Sequence, residues 1–176
     1  WYLFYHDNDL SPDFDKNRSI RADSLFFKEN GNIKKVIPTK RGVGITSSTS
    51  KIQIDRYSAK SNYGAASVFL DRLDPFQGWK VVLNKPDAWV KYNRVDFGAE
   101  GPKNVKIRAR SLTGGTVALK LAGEKAQEIA EVTIQKGGNW EVFSAPVKSD
   151  ATDVQDLIVQ LKSGAGVEVD WVQFEK

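Results

Sequence analysis

The sequence predicts an antiparallel β-sandwich, and three observations point there. From Lys51 to the end, short runs alternate apolar with polar side chains. Turns carrying Gly, Asn or Pro separate those runs at near-regular intervals. No stretch places apolar residues at helical spacing over the length of a helix.

The chain opens on an aromatic run, Trp1 to Tyr5, that leads into "HDNDLSPDFDKNRS". An EF-hand loop counted from Asp7 requires glycine at its sixth position and glutamate at its twelfth, but Pro12 and Arg18 stand there. Asp7 and Asp9 are left as either an acid/base pair or a polar Asx turn, and a transition-metal site would want more than the one histidine, His6. Asn30-Gly31 between apolar runs predicts a hairpin over Ser24 to Pro38. "TKRGVGITSSTSK" has a linker composition, which places a domain boundary near Ser47 to Ser50 and predicts domains 1–46 and 47–176.

Beyond it, "KIQIDRY" predicts a strand with Gln53 and Asp55 on one face, and "ASVFLD" predicts a short apolar strand. The stretch "GWKVVLNKPDAWVKYNRVDFG" predicts strand, turn and strand, with Trp79, Val81 and Leu83 on one face of the first. In "NVKIRARS", Val105, Ile107 and Ala109 point inward while Lys106, Arg108 and Arg110 point outward. Gly114-Gly115 leads into "TVALKLA", and "EIAEVTIQ" follows. Gly137-Gly138-Asn139 predicts a break immediately before Trp140; "DLIVQLK" and "GVEVDWVQFEK" complete the set. "AGEKAQEIAE" has room for one helical turn at most.

Composition excludes several classes. The 176 residues are 40% hydrophobic and 11% aromatic, enough for a packed core. The net charge of +4 is spread along the chain without a basic block, so no nucleic-acid partner is expected. No apolar run is long enough to span a membrane, and no leader peptide is visible. Cysteine is absent, so there is no disulfide framework. Methionine is also absent and the chain starts inside a strand pattern, so we expect a fragment, or a numbering that omits what came before, and either leaves room for catalytic residues upstream.

Two sites are candidates. Trp79 and Trp140 stand at predicted loop mouths, where two indoles can face each other and sandwich a sugar ring; the alternative is that both are core. Gln53 and Asp55 in the first sandwich strand and Asp170 in the last can supply oxygen ligands to a hard cation; the alternative pairs Asp170 with Arg56. With no His and no Cys in the predicted sandwich, Ser-His-Asp and Cys-His nucleophile arrangements are excluded there.

"IQIDRY", "AWVKYNRVDFG", "VKIRARSLTGGTVALKL", "GGNWEVFSAPV" and "VEVDWVQF" occur in the order and spacing of a family 6 carbohydrate-binding module, which residues from about 51 to 176 resemble. The resemblance implies a β-jelly-roll with a structural calcium, and binding of plant and other β-linked polysaccharides at a loop-end cleft or on the concave face of a sheet. It casts Trp79 and Trp140 as the cleft aromatics and Gln53, Asp55 and Asp170 as calcium ligands. Glu168 stands where the family usually has asparagine; an ionised carboxylate accepts hydrogen bonds and donates none.

"WYLFYHDNDLS", "KNRSIRADSLFF" and "GNIKKVIPTKRGVG" resemble the end of a family 43 glycoside hydrolase domain, a five-bladed β-propeller, of the arabinofuranosidase and xylosidase type. That resemblance makes His6 a candidate neighbour of the propeller's central metal. It makes Asp7 and Asp9 loop scaffolding, because the family's catalytic carboxylates come from earlier blades. The function implied is a module targeting a bacterial extracellular or periplasmic cell-wall hydrolase to xylan, arabinoxylan or xylo-oligosaccharides. The alternatives are part of an active family 43 enzyme whose carboxylates lie upstream, and a module that has lost ligand binding and braces the propeller.

Overall fold

The computed structural model describes residues 1–8, 16, 18–148 and 150–176, so Asp9, Asp13 and Asp15 lie outside the described residues. The described residues form two compact units, Trp1–Gly44 and Ile45–Lys176.

In the first unit, β1 (Tyr2–Asp7) pairs antiparallel with β2 (Ser19–Ser24), from Tyr2 opposite Ser24 to Asp7 opposite Ser19. His6 and Asp7 are therefore strand residues, not turn residues. The hairpin expected over Ser24 to Pro38 shrinks to one bridge, Phe27 to Ile33, closed by Gly31 at φ 81°. Buried Asp23 anchors the unit by accepting from the Tyr5 hydroxyl and from both the backbone N–H and the hydroxyl of Thr39.

The second unit is a sandwich of two sheets. Its strands are β3 (Thr46–Ser47), β4 (Ile52–Gln53), β5 (Ala59–Lys60), β6 (Ala65–Phe69), β7 (Trp79–Leu83), β8 (Trp89–Asp96) and β9 (Asn104–Ser111). They continue with β10 (Gly115–Leu121), β11 (Gln127–Ile134), β12 (Gly137–Pro146), β13 (Val154–Gly164) and β14 (Val167–Glu175). One sheet runs β11, β10, β13, β8, β3, with β5 on β8. The other runs β12, β9, β14, β7, β6, with β4 on β14. All pairings are antiparallel except β3 with β8.

The period-two pattern explains the core. Val105, Ile107 and Ala109 of β9 and Val117 and Leu119 of β10 are fully buried. Leu157, Val159 and Leu161 of β13 and Val167, Val169 and Val172 of β14 join them. Two irregularities re-aim side chains. In β8 the buried residues are Val90 and Tyr92, then Val95, with Phe97 just beyond the strand, and Arg94 has φ 56°. In β14 the register against β9 shifts between Val169 and Trp171, so Val169 and Val172 both face inward across a bulge at Asp170.

Three expectations are corrected here. Ser47 to Ser50 is not a free linker: Ser48 is buried, its N–H donates to the Asp96 carbonyl and its carbonyl accepts from the Phe174 N–H. "KIQIDRY" is not one strand, because the chain turns after Gln53, closed by the Arg56 N–H on the Gln53 carbonyl. Gly137 and Gly138 do not break the chain; they begin β12 at an irregular register. Among the described residues the only helical turn is Pro75–Gln77, and no helix is long and apolar enough to cross a membrane.

Candidate functional site

The outer face of the β12-β9-β14-β7-β6 sheet carries the site. Alternation on β9 sends Arg108 and Arg110 outward, and alternation on β7 does the same for Lys80 and Val82 while Val81 and Leu83 enter the core. Register sets Glu168 of β14 between Arg110 on one side and Val82 on the other. Trp140, from β12, rests its half-buried indole among three cations. The Arg108 and Arg110 guanidinium carbons lie 4.9 and 5.0 Å from its ring centre, and the Lys80 ammonium 5.8 Å.

Glu168 holds this cluster together. It accepts from Arg110 Nε at 2.6 Å and from Lys80 Nζ at 2.8 Å. Burial pushes its carboxyl up, but the hydrogen bonds from Arg110 and Lys80 outweigh that and hold it below the usual carboxylate range. It is thus an anion at neutral pH. Lys80, only 7% exposed, is a charge that the interior tolerates because it is paired. Arg108 pairs in turn with buried Asp170.

Two adjoining depressions share Val82, Arg110 and Glu168. One, of about 610 Å3, extends past Trp140 and Lys80 toward the segment Val68 to Arg72 at the sheet edge. The other, of about 530 Å3, ends among Asn84, Ser111, Thr113 and the Gly137-Gly138 backbone. Together they make an open groove with an aromatic ring, charged groups and hydroxyls along it, which is what a sugar chain requires.

The structure brings Trp140 and Glu168 together and leaves Trp79 out. Trp79 shares the inward parity of Val81 and Leu83, and its ring packs on Phe69 at 4.3 Å between centres. Neither depression is lined by Trp79, although its partner Phe69 borders the one that Trp140 lines. The groove residues that β7 supplies are Lys80 and Val82. Sequence alternation does place Arg108 and Arg110 outward, but only the pairing of β9 with β12 and β14 reveals that they surround Trp140.

The calcium candidates are partly assembled. Gln53 stands opposite Trp171, and the Ile54 N–H donates to the Asp170 carbonyl, so β4 runs beside the bulge. Asp55 sits in the turn that follows, not on a shared strand face with Gln53. Asp170 is paired with Arg108 and not with Arg56. Two carboxylates and an amide oxygen fit calcium in kind, with the Arg108 guanidinium competing for one of them. No group of three or more His, Cys, Asp or Glu side chains able to hold a metal occurs among the described residues. In the first unit, His6 is exposed and faces the Arg18 guanidinium at 3.4 Å, and Asp7 pairs with Arg21.

The family model for carbohydrate binding module (family 6) matches residues 70–176. The chain belongs to the family 6 carbohydrate-binding modules. No curated protein sequence matches it. Among solved structures, a family 6 module from Clostridium stercorarium, determined with cellobiose, is 22% identical with a TM-score of 0.66, over 76% of this chain and 98% of its own. A family 43 arabinoxylan arabinofuranohydrolase from Bacillus subtilis, determined with cellotetraose, is 19% identical with a TM-score of 0.69. That match takes in the whole of the present chain, its N-terminal unit included, and only 38% of the hydrolase. A family 36 module determined with calcium and xylotriose is 19% identical with a TM-score of 0.55, over 72% of this chain and 99% of its own. At these identities the likenesses establish a shared fold, the module's jelly-roll and, for residues 1–44, the fold of part of a family 43 hydrolase chain.

Proposed function

We propose that this family 6 module holds a family 43 cell-wall hydrolase on xylan or arabinoxylan. The observation that carries the reading is the Trp140 groove on the outer sheet face, where an indole, a fixed carboxylate and flanking hydroxyls line one open channel. An aromatic plane packs against the C–H face of a sugar, and the polar groups beside it take the hydroxyls. The match along the whole chain to an arabinoxylan hydrolase supports the parent enzyme and the polymer. We place the protein outside the cytoplasm of a bacterium, where such polymers are met. Calcium at Gln53, Asp55 and Asp170 belongs to the same reading and is supported by the family 36 neighbour.

A second reading makes the chain part of an active family 43 enzyme with its catalytic carboxylates upstream. The likeness of residues 1–44 to part of such an enzyme favours it. Affinity electrophoresis of the chain through xylan, arabinoxylan, cellulose-derived and β-1,3-linked glucans tests the first reading. Retardation on the xylans, lost in Trp140→Ala, is expected. Retardation on glucans alone overturns the polymer assignment. Intact mass and arabinoside hydrolysis of the protein from its native source test the second.

A further inference from the structure

We propose that the Trp140 groove selects a sugar bearing a carboxylate, a uronic acid unit carried on the polysaccharide, with Arg110 receiving that carboxylate. This rests on reading the chain as a polysaccharide binder and names the class of sugar that the groove takes.

The charge around Trp140 exceeds what a neutral sugar uses. Arg72, Lys80, Arg108 and Arg110 line the larger depression against only Asp71 and Glu168. Hydroxyls of a neutral sugar can be met by amides and other hydroxyls at no cost in buried charge, whereas clustered cations repel one another unless an anion joins them. Of these four cations, Glu168 alone serves Lys80 and Arg110, and Asp170 serves Arg108. The guanidinium groups also lie within 5.0 Å of the indole centre, so cations already neighbour the ring on which a sugar would stack.

Arg110 is arranged to take a planar anion. Its Nε is spent on Glu168, and its guanidinium carbon lies over Trp140, so two contacts fix its plane. Among the described residues its two terminal nitrogens carry no hydrogen bond. A third of its side chain is exposed. The edge that remains is a two-pronged donor, which matches the two oxygens of a carboxylate. Asn84 in the adjoining depression can meet a hydroxyl of the same or the next unit, whereas the Ser111 and Thr113 hydroxyls are already engaged with neighbouring backbone.

The test is calorimetric titration of the full chain with three oligosaccharides: neutral xylo-oligosaccharide, the same oligosaccharide carrying a glucuronic acid branch, and oligogalacturonate. The expected result is binding of at least one uronate ligand about tenfold or more tighter than the neutral one, as charge-assisted hydrogen bonds supply. The branch and the oligogalacturonate arms separate a xylan from a pectin source. The preference should shrink as salt rises and vanish in Arg110→Gln. It should persist in Lys162→Gln, which removes the same charge from the other sheet, where Lys162 pairs with Glu128 and Glu131. Glu168→Gln, which removes the internal competitor for Arg110, should bind uronate at least as tightly as the wild type. Equal affinity for neutral and uronate ligands overturns the uronate proposal and leaves the polysaccharide reading standing. Weaker uronate binding in a folded Glu168→Gln variant also overturns it. Binding of none of the three, nor of any polymer, overturns both.

Discussion

Arg110 and Lys80, on strands separated by β14, converge on the one carboxylate of Glu168 at 2.6 and 2.8 Å. The carboxylate therefore ties β9, β14 and β7 together on the face that carries Trp140. An asparagine at this position would donate to a ligand; the glutamate instead spends one oxygen, Oε2, on two of the protein's own cations.

This pairing sets an acid limit. The Glu168 carboxyl is held below its ordinary value because hydrogen bonds from Arg110 and Lys80 outweigh the upward push of burial. Its contribution to stability is complete above the unfolded value near 4.5 and is lost as pH falls through the lower folded value. The melting temperature of the wild type should drop as pH is lowered from 5 to about 3, and the Glu168→Gln variant should show a smaller drop. Parallel melting curves for wild type and variant contradict the assignment.

The two tryptophans should separate cleanly under mutation. Trp140 is on the solvent side of its sheet, so Trp140→Ala should leave the melting temperature nearly unchanged and weaken sugar binding by about 2 kcal/mol, the loss typical of an aromatic anchor. Trp79 packs on Phe69 with the core parity of β7. Trp79→Ala should cost about 2 kcal/mol of stability, short of the value for a fully buried ring, and leave binding by the folded fraction intact. Calorimetric melting and titration on both variants decide this. A folded Trp79→Ala protein that no longer binds returns Trp79 to the site.

That outcome bears on what the sequence can say. The strands β9 and β13 are legible because one buried face imposes a strict alternation. The same alternation groups Trp79 with Val81 and Leu83, which favours the core for that residue. Trp140 is harder, because Gly137-Gly138-Asn139 has the composition of a turn while its backbone is in β12. The bulges at Arg94 and Asp170 leave no local trace in composition, yet they decide which side chains turn inward. The cluster around Trp140 depends on which strands are neighbours, and alternation within one strand contains nothing about its neighbours. Ser47 to Ser50 reads as linker because it is polar, but its backbone hydrogen bonds go to Asp96 and Phe174.

Glycine is required where β10 and β13 meet at their turns. Gly164 has φ +93°, and a Cβ there would stand 2.5 Å from the Gly114 carbonyl oxygen, a backbone atom that cannot swing away. Gly137 has open space and ordinary φ. Gly164→Ala should destabilise the sandwich by roughly 1–3 kcal/mol, while Gly137→Ala should be neutral within about 0.5 kcal/mol. Urea midpoints for the two variants provide the check, and equal midpoints refute the close approach.

Calcium is expected to raise the melting temperature of the sandwich. An ion at Gln53, Asp55 and Asp170 would join β4 and the turn after it to the bulge of β14, segments far apart in sequence, so it would bind the native chain and not the unfolded one. At a hundredfold excess over its dissociation constant it adds about 2.7 kcal/mol. For a unit of this size that is a rise on the order of 10 °C. Arg108 opposes it, because its guanidinium already neutralises Asp170. Removing that competitor in Arg108→Gln should therefore enlarge the calcium response, and Asp170→Asn should abolish it in either background. Melting with calcium and with a strong chelator, on the wild type and the three variants, reads all of this directly. A wild type and an Arg108→Gln variant that both ignore chelation would mean that no ion binds there, and that the arginine alone supplies the positive charge that buried Asp170 needs.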